Sequence, residues 1–148
     1  MKLVHEITVN KPLQVAWDYS TDPENLHRWL NEYLRYEHIS GDVNAPKVGD
    51  KSRHTYKQGK GEFTMEETIT AYNPPQQIKL FMTSGYFDME VVNHFEALDA
   101  SSTRLVASAD FVRIGWLMKI IFFFSSKKMQ ADHEKQINKL RQLIEAED

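Results

Sequence analysis

The hydrophobic pattern changes period along this chain. Residues 2–9 alternate, with Leu3, His5, Ile7 and Val9 on one side and Lys2, Val4, Glu6 and Thr8 on the other, which predicts a strand. Asn10-Lys11-Pro12 then puts a proline in a first helical turn, and Leu13, Ala16, Trp17 and Ser20 share one face of a short helix. Asp22-Pro23-Glu24 predicts a second helix start, with Asp22 as N-cap, Pro23 at the first position and Glu24 suited to the helix dipole. That helix ends near Trp29-Leu30. Strands follow over 34–40, 51–57, 62–72, 77–84, 87–98 and 103–113. Gly59/Gly61, Asn73-Pro74-Pro75, Ser84-Gly85 and residues 99–102 supply the later turns. The stretch 33–49 is loosely specified.

Alternation also sets a register. If Tyr56 faces Phe63, then Arg53 opposes Glu66 and Lys57 opposes Glu62, both opposite-charge pairs. Facing Ala97 with Thr103 sets Glu96 against Arg104, and facing Ser84 with Phe87 sets Met82 against Met89. One face then collects Phe63, Met65, Ile69, Ile78, Leu80 and Met82 with Phe87, Met89, Val91, Phe95, Leu105 and Phe111. This is the inner face, because a one-residue slip would turn it to solvent.

From Gly115 to Glu147 no proline or further glycine interrupts a run of helix formers, which predicts one helix of roughly 50 Å. Its first half, residues 116–124, is apolar nearly all round. It is expected either to be enclosed by protein, as a buried core helix, or to stand beside an apolar space. In the second half Met129, His133, Ile137, Leu140 and Ile144 form one stripe, opposite Lys128, Asp132, Lys135, Lys139 and Gln142. A membrane span needs ~20 apolar residues, and Lys119 with the 125–128 run brackets fewer, so stable insertion is not expected. A helix lying in a membrane interface is the remaining alternative.

The order of elements is α+β: strand, two short helices, a curved antiparallel meander and a long helix, about seven strands in all. At 148 residues the chain is expected to be a single domain spanning 1–148. The net charge of −3 and scattered basic residues argue against nucleic acid as a partner. The absence of cysteine excludes disulfides and thiolate metal sites. No spaced His/Glu set is present, so no metal and no cofactor is expected. The first strand lacks the apolar core of a signal peptide, so the expected compartment is the cytoplasm.

The chain resembles the START-like (SRPBCC) superfamily, the Bet v 1-like and polyketide cyclase/dehydrase-type helix-grip domains. The resemblance covers nearly the whole chain. It is carried by the element order and by Ile7–Pro12 ahead of Trp17, the Asp22-Pro23-Glu24-Asn25-Leu26 run with Trp29, and Val48-Gly49-Asp50. Further along it is carried by Glu62, Glu67, Tyr72-Asn73-Pro74-Pro75, Ser84-Gly85, Phe95-Glu96 and the final helix. It implies a sheet wrapped around the last helix and a hydrophobic ligand between them. Members of the superfamily include lipid and hormone carriers, aromatic-polyketide cyclases and co-chaperone-like partners.

Polar residues on the inner face carry the candidate chemistry: His5, Ser52, His54, Tyr56, Glu67, Ser84, Asn93 and Arg113. Glu67 matters most, since a carboxylate in an apolar setting must be paired, protonated or wet. Ser52 lies opposite it and His54 diagonal to it. The pair forms the expected polar end of a pocket for a ligand's hydroxyl, carbonyl or carboxylate; alternatively the two satisfy only each other or a water. Arg113, at a strand end, is expected to reach solvent. Candidate ligand contacts are Trp29, His54, Tyr56, Met65, Glu67, Met82, Met89, Asn93 and Phe111, with Trp116, Ile120 and Phe124 contributed by the first half of the long helix. Three functions fit: a carrier or sensor of a lipid, isoprenoid or aromatic compound; a cyclase- or dehydratase-like enzyme using His54 and Glu67 as acid and base; or an interaction protein. For the last, outward-facing Phe81, Val92, Val106 and Val112 suggest a partner surface or homodimer.

Overall fold

A computed structural model describes all 148 residues. Strand β1 spans Lys2–Val9, helix α1 Leu13–Thr21, and a 3-10 turn at Pro23–Asn25 leads into helix α2, Leu26–Trp29. Six strands follow: β2 Tyr33–Ser40, β3 Lys51–Gln58, β4 Gly61–Asn73, β5 Gln77–Thr83, β6 Phe87–Asp99 and β7 Ser102–Ile114. Helix α3 closes the chain at Trp116–Glu145. Asp22 caps the turn as expected, its Oδ1 accepting from Glu24 N at 3.0 Å behind Pro23.

All seven strands form one antiparallel sheet in the order β1-β7-β6-β5-β4-β3-β2. β1 and β2, consecutive in sequence, lie at opposite edges, so α1 and α2 bridge the width of the sheet. The second half of α3 packs on its concave side. Ile137, Leu140 and Ile144 meet Ile7, Val9, Phe95 and Leu105 in the core. Trp17 joins them, 5.3 Å edge-on from Phe95 and 5.8 Å from Tyr72. Polar ties hold the same half: His5 Nε2 lies 3.1 Å from Asn138 Oδ1, and Gln130 Nε2 donates to Val4 O at 3.1 Å.

The expected register is observed: Tyr56 faces Phe63, Arg53 faces Glu66, Met82 faces Met89, and Ala97 faces Thr103. The ion pairs differ from those expected at two positions. Arg35 of β2 holds Glu62 in a bidentate pair at 3.0 and 2.7 Å, and Arg53 pairs with Glu37 at 3.3 Å. The neighbouring edge strand competes for both groups, whereas Arg104 does reach Glu96 at 3.6 Å. β-Bulges change which residues face inward. The register shift between Tyr33 and Arg35 lets Tyr33 pair with Tyr56 and Tyr36 with His54, so both tyrosines share the concave face despite their odd spacing. A shift in β4 does the same for Tyr72, which pairs with Ile78. In β7, Phe111 faces Met89 and Arg113 faces Asp88, leaving Val112 as the extra residue. Alternation alone had put Arg113 on the inner face. The bulge turns it outward, where its Nε donates to Asp88 Oδ2 at 2.7 Å.

The first half of α3 is not enclosed. Trp116 (77% exposed), Leu117, Ile120, Ile121, Phe123 (77%) and Phe124 (81%) stand out from the fold, and Phe122, at 8%, is the one fully buried residue there. The expectation of a buried or cavity-lining segment fails because the sheet already has an apolar filling at that end. Phe63 stacks on Phe87, Phe87 meets Phe111 edge-on, and Phe122 completes the cluster, 4.8 Å from Phe111 and 5.7 Å from Phe87.

Candidate functional site

The concave face, the α1–α2 bridge and the middle of α3 enclose a cavity of about 790 Å³. This is ample for a drug-sized or lipid-sized molecule. The sheet lines it with side chains such as Met65, Met82, Phe87, Met89 and Phe111; the helices add Trp17, Leu26, Trp29, Met129, His133 and Ile137. The methionines give the wall adaptable surfaces. The 42–50 segment forms part of the rim through Asp42, Val43, Pro46 and Asp50.

One polar cluster interrupts this lining. Ser52 and His54 on β3 and Glu67 on β4 fall there because the period-two alternation that points Phe63, Met65 and Ile69 inward points Glu67 inward too. Ser52 Oγ donates to Glu67 Oε2 at 3.0 Å. His54 Nε2 lies 3.2 Å from Glu67 Oε1 and 3.1 Å from Ser52 Oγ. On the other side of the ring, Tyr33 OH is 2.8 Å from His54 Nδ1. A neutral imidazole carrying its proton on Nε2 satisfies all four contacts: Tyr33 O–H donates to Nδ1, Nε2–H faces Glu67 and Ser52, and Ser52 O–H donates to Glu67. His54 is 3% exposed and both its nitrogens are engaged.

Three phenols feel the charge of this carboxylate. Burial, reinforced by the Glu67 charge, pushes the Tyr33 and Tyr56 hydroxyls well above the ordinary tyrosine range and raises that of Tyr36. They remain neutral donors at any physiological pH. The rest of the charged lining is mostly acidic: Asp18, Asp22, Asp42, Asp50 and Asp132. Lys51 is the single lysine, and its Nζ is held by Thr68 Oγ1 at 2.9 Å and Glu66 at 3.5 Å; no arginine lines the cavity.

Of the residues singled out from sequence, Trp29, His54, Tyr56, Met65, Glu67, Met82, Met89, Asn93 and Phe111 all line this cavity. Trp116, Ile120 and Phe124 do not; they point to solvent, and Met129, His133 and Ile137 hold the place on α3 that they were expected to take. Ser84 lies outside it and braces the β5–β6 hairpin, with its Oγ donating to Phe87 O at 3.0 Å. His5 is tied to Asn138. Sequence reasoning missed Tyr33, Tyr36 and His133 as parts of the site or its support. The β2 bulge hid the tyrosines. His133 was read only as a member of the helix stripe, though that stripe crosses the cavity. It sits 3.3 Å from Ala107 O, and burial draws its pKa below the ordinary histidine value of 6.5. His38 and Asp132, the latter on the helix face opposite the apolar stripe, also reach the rim.

No group of three or more His, Cys, Asp or Glu residues is arranged to hold a metal ion. The cavity has apolar walls and one hydrogen-bonding end, where Glu67 and His54 lie in direct contact.

The fold is widely shared. Protein TTHA0849 from Thermus thermophilus superposes with a TM-score of 0.75 at 16% identity, over 97% of both chains. The Zhui aromatase/cyclase from Streptomyces sp. R1128 superposes at 0.74 with 14% identity, over 98% of this chain and 93% of that one. Ara h 8.0201 superposes at 0.73 with 12% identity, over 99% of both. At these identities the likeness is one of fold. Among curated proteins no sequence matches. The family model for polyketide cyclase / dehydrase and lipid transport matches residues 1–145. A seven-stranded sheet gripping a C-terminal helix around an apolar cavity, together with that match along nearly its whole length, makes this chain a member of the polyketide cyclase / dehydrase and lipid transport family, within the START-like (SRPBCC) superfamily.

Proposed function

We propose that the protein binds an uncharged hydrophobic small molecule in the cavity, as a carrier or sensor, and holds a hydroxyl of that molecule at the Glu67 end. The observation behind this is the cavity of about 790 Å³ with apolar walls and one convergent polar cluster. The sign of the charges narrows the ligand. An anionic headgroup would enter a site walled by Glu67 and aspartates with no free cation to meet it, and an unpaired buried charge is costly. A hydroxyl donates to Glu67 and accepts from Tyr36 or Tyr56. Lipid alcohols, isoprenoid alcohols and phenolic polyketides fit this description. The family description and the aromatase/cyclase among the structural relatives support the same ligand class.

The direct test is native mass spectrometry of gently purified protein with solvent extraction of any bound molecule, followed by dye displacement with a long-chain alcohol and the fatty acid of equal length. The alcohol should displace the dye at lower concentration in wild type, and Val91→Trp, which fills the cavity, should abolish binding of both. Tighter binding of the acid, or unchanged binding in Val91→Trp, would refute the assignment.

A second reading is a cyclase- or dehydratase-like enzyme with His54 and Glu67 as acid and base, favoured by their 3.2 Å contact inside an apolar site. It requires that Glu67→Gln and His54→Gln abolish turnover of an accepted substrate while leaving its binding intact. Equal turnover in wild type and both variants would remove those roles.

A further inference from the structure

The first turns of α3 carry large apolar side chains that the rest of the chain leaves about half to four-fifths exposed. Trp116, Leu117, Ile120, Ile121, Phe123 and Phe124 are exposed together. At ~100° per residue they occupy one arc of roughly 160°, and Lys127 and Lys128 continue it into the next turn. Single exposed apolar residues are ordinary, but a contiguous patch of this size marks a surface that is covered in use.

Charge identifies what covers it. From Phe111 to Ala131 the chain contains Arg113, Lys119, Lys127 and Lys128 and no acidic residue. Arg113 is neutralised by Asp88 and Lys128 by Asp132, while Lys119 and Lys127 are in no ion pair. A second copy docked face to face would set lysine against lysine with no carboxylate in the segment to meet it. An anionic lipid surface matches both parts of the pattern: the aromatic and aliphatic side chains enter the acyl boundary, and the lysine ammonium groups reach the phosphates. Helix α3 is not long and apolar enough to cross a membrane, so it would lie in the interface.

We propose that the exposed apolar arc and flanking lysines at the start of α3 form a docking site for an anionic phospholipid bilayer. The site stands apart from the cavity and does not rest on what the cavity binds. The two are nevertheless close. Phe122, on the opposite side of the same turn, touches Phe87 and Phe111 of the cavity wall, so one aromatic layer separates the docking face from the ligand space.

The tryptophans make the test clean. Trp17 and Trp29 are buried, so a change in tryptophan emission on adding vesicles reports on Trp116. Wild type should float with vesicles of phosphatidylcholine and phosphatidylglycerol, with a blue-shifted emission that Trp116→Phe removes. It should bind vesicles of phosphatidylcholine alone more weakly. Each lysine near an anionic surface contributes roughly fivefold, so replacing the two unpaired ones, Lys119→Gln with Lys127→Gln, should lower the partition roughly twenty-five-fold. Phe123→Asp with Phe124→Asp should abolish flotation while leaving the melting temperature and dye binding unchanged, because both side chains are solvent-exposed. Three results would each overturn the proposal: no flotation with either vesicle, equal binding to both, or a wild-type dimer without vesicle binding that Phe123→Asp dissociates. The last would assign the surface to a second copy.

Discussion

Three consecutive phenylalanines on α3 allow a sharp test of this structure. Phe122 is 8% exposed and packed on Phe87 and Phe111, while Phe123 and Phe124 project into solvent. Truncating a buried phenylalanine costs about 3–5 kcal/mol, as lost transfer energy plus the cavity left behind. Alanine is the better helix former and returns up to about 0.5 kcal/mol at each of the three positions. Phe122→Ala should therefore lose about 3–4 kcal/mol net, whereas Phe123→Ala and Phe124→Ala should stay within about 0.5 kcal/mol of wild type and lean toward stabilising. For a chain of this size the Phe122→Ala loss corresponds to a fall of roughly 6–16 °C in melting temperature. Urea unfolding with unchanged m-values measures all three. Since no other residue buries in the first half of α3, Phe122→Ala should also speed amide exchange over residues 116–126 relative to the rest of the helix. Comparable losses in all three variants, or a loss below about 1 kcal/mol for Phe122→Ala, would show that the helix start packs differently from the way described.

Other perturbations follow from the site. Tyr33→Phe removes the donor to His54 Nδ1 and leaves that nitrogen unsatisfied, at a cost of about 1–3 kcal/mol in denaturant unfolding; a change below about 0.5 kcal/mol, near the error of the method, would argue against the contact. His133 has a folded pKa depressed by burial, with His5 adding to the depression and the Ala107 carbonyl and Glu134 opposing it. The unfolded state therefore binds the extra proton first, and stability should fall as pH drops below 6.5 toward the lower folded pKa. His133→Gln should flatten that part of the stability–pH curve, and an unchanged slope would count against the burial of this group. Gly41 has φ of +93° and lies against the Asp50 carboxylate where a Cβ would stand, so Gly41→Ala should cost about 1–3 kcal/mol and loosen the cavity rim, seen as faster exchange over residues 42–50.

The faces of the strands were legible without coordinates because a period-two pattern leaves only two choices, and the apolar set selects one. Glu67, His54 and Ser52 could be brought together from the register alone, since residues directly opposite across a hairpin have nowhere else to go. Alternation alone did not place Tyr33 or Arg113, although the strand-end position of Arg113 correctly pointed it to solvent. Each is set off from the rest of its strand by a bulge, and a single extra residue reverses the face across it without a mark in the local composition.

The long helix divides the two kinds of information most clearly. The local sequence determined that residues 116–145 are helical, and that Met129, His133, Ile137, Leu140 and Ile144 share a stripe, because propensity and the 3.6-residue period act between near neighbours. It also determined the inner face of the sheet and the polar cluster on it. Where along the helix the sheet would close was decided only in three dimensions. The aromatic cluster of Phe63, Phe87 and Phe111 fills one end of the concave face and accepts a single further ring, so Phe122 is buried while its neighbours are left outside. Chemically identical residues, adjacent in the chain, take opposite environments because burial depends on the space that distant strands leave open.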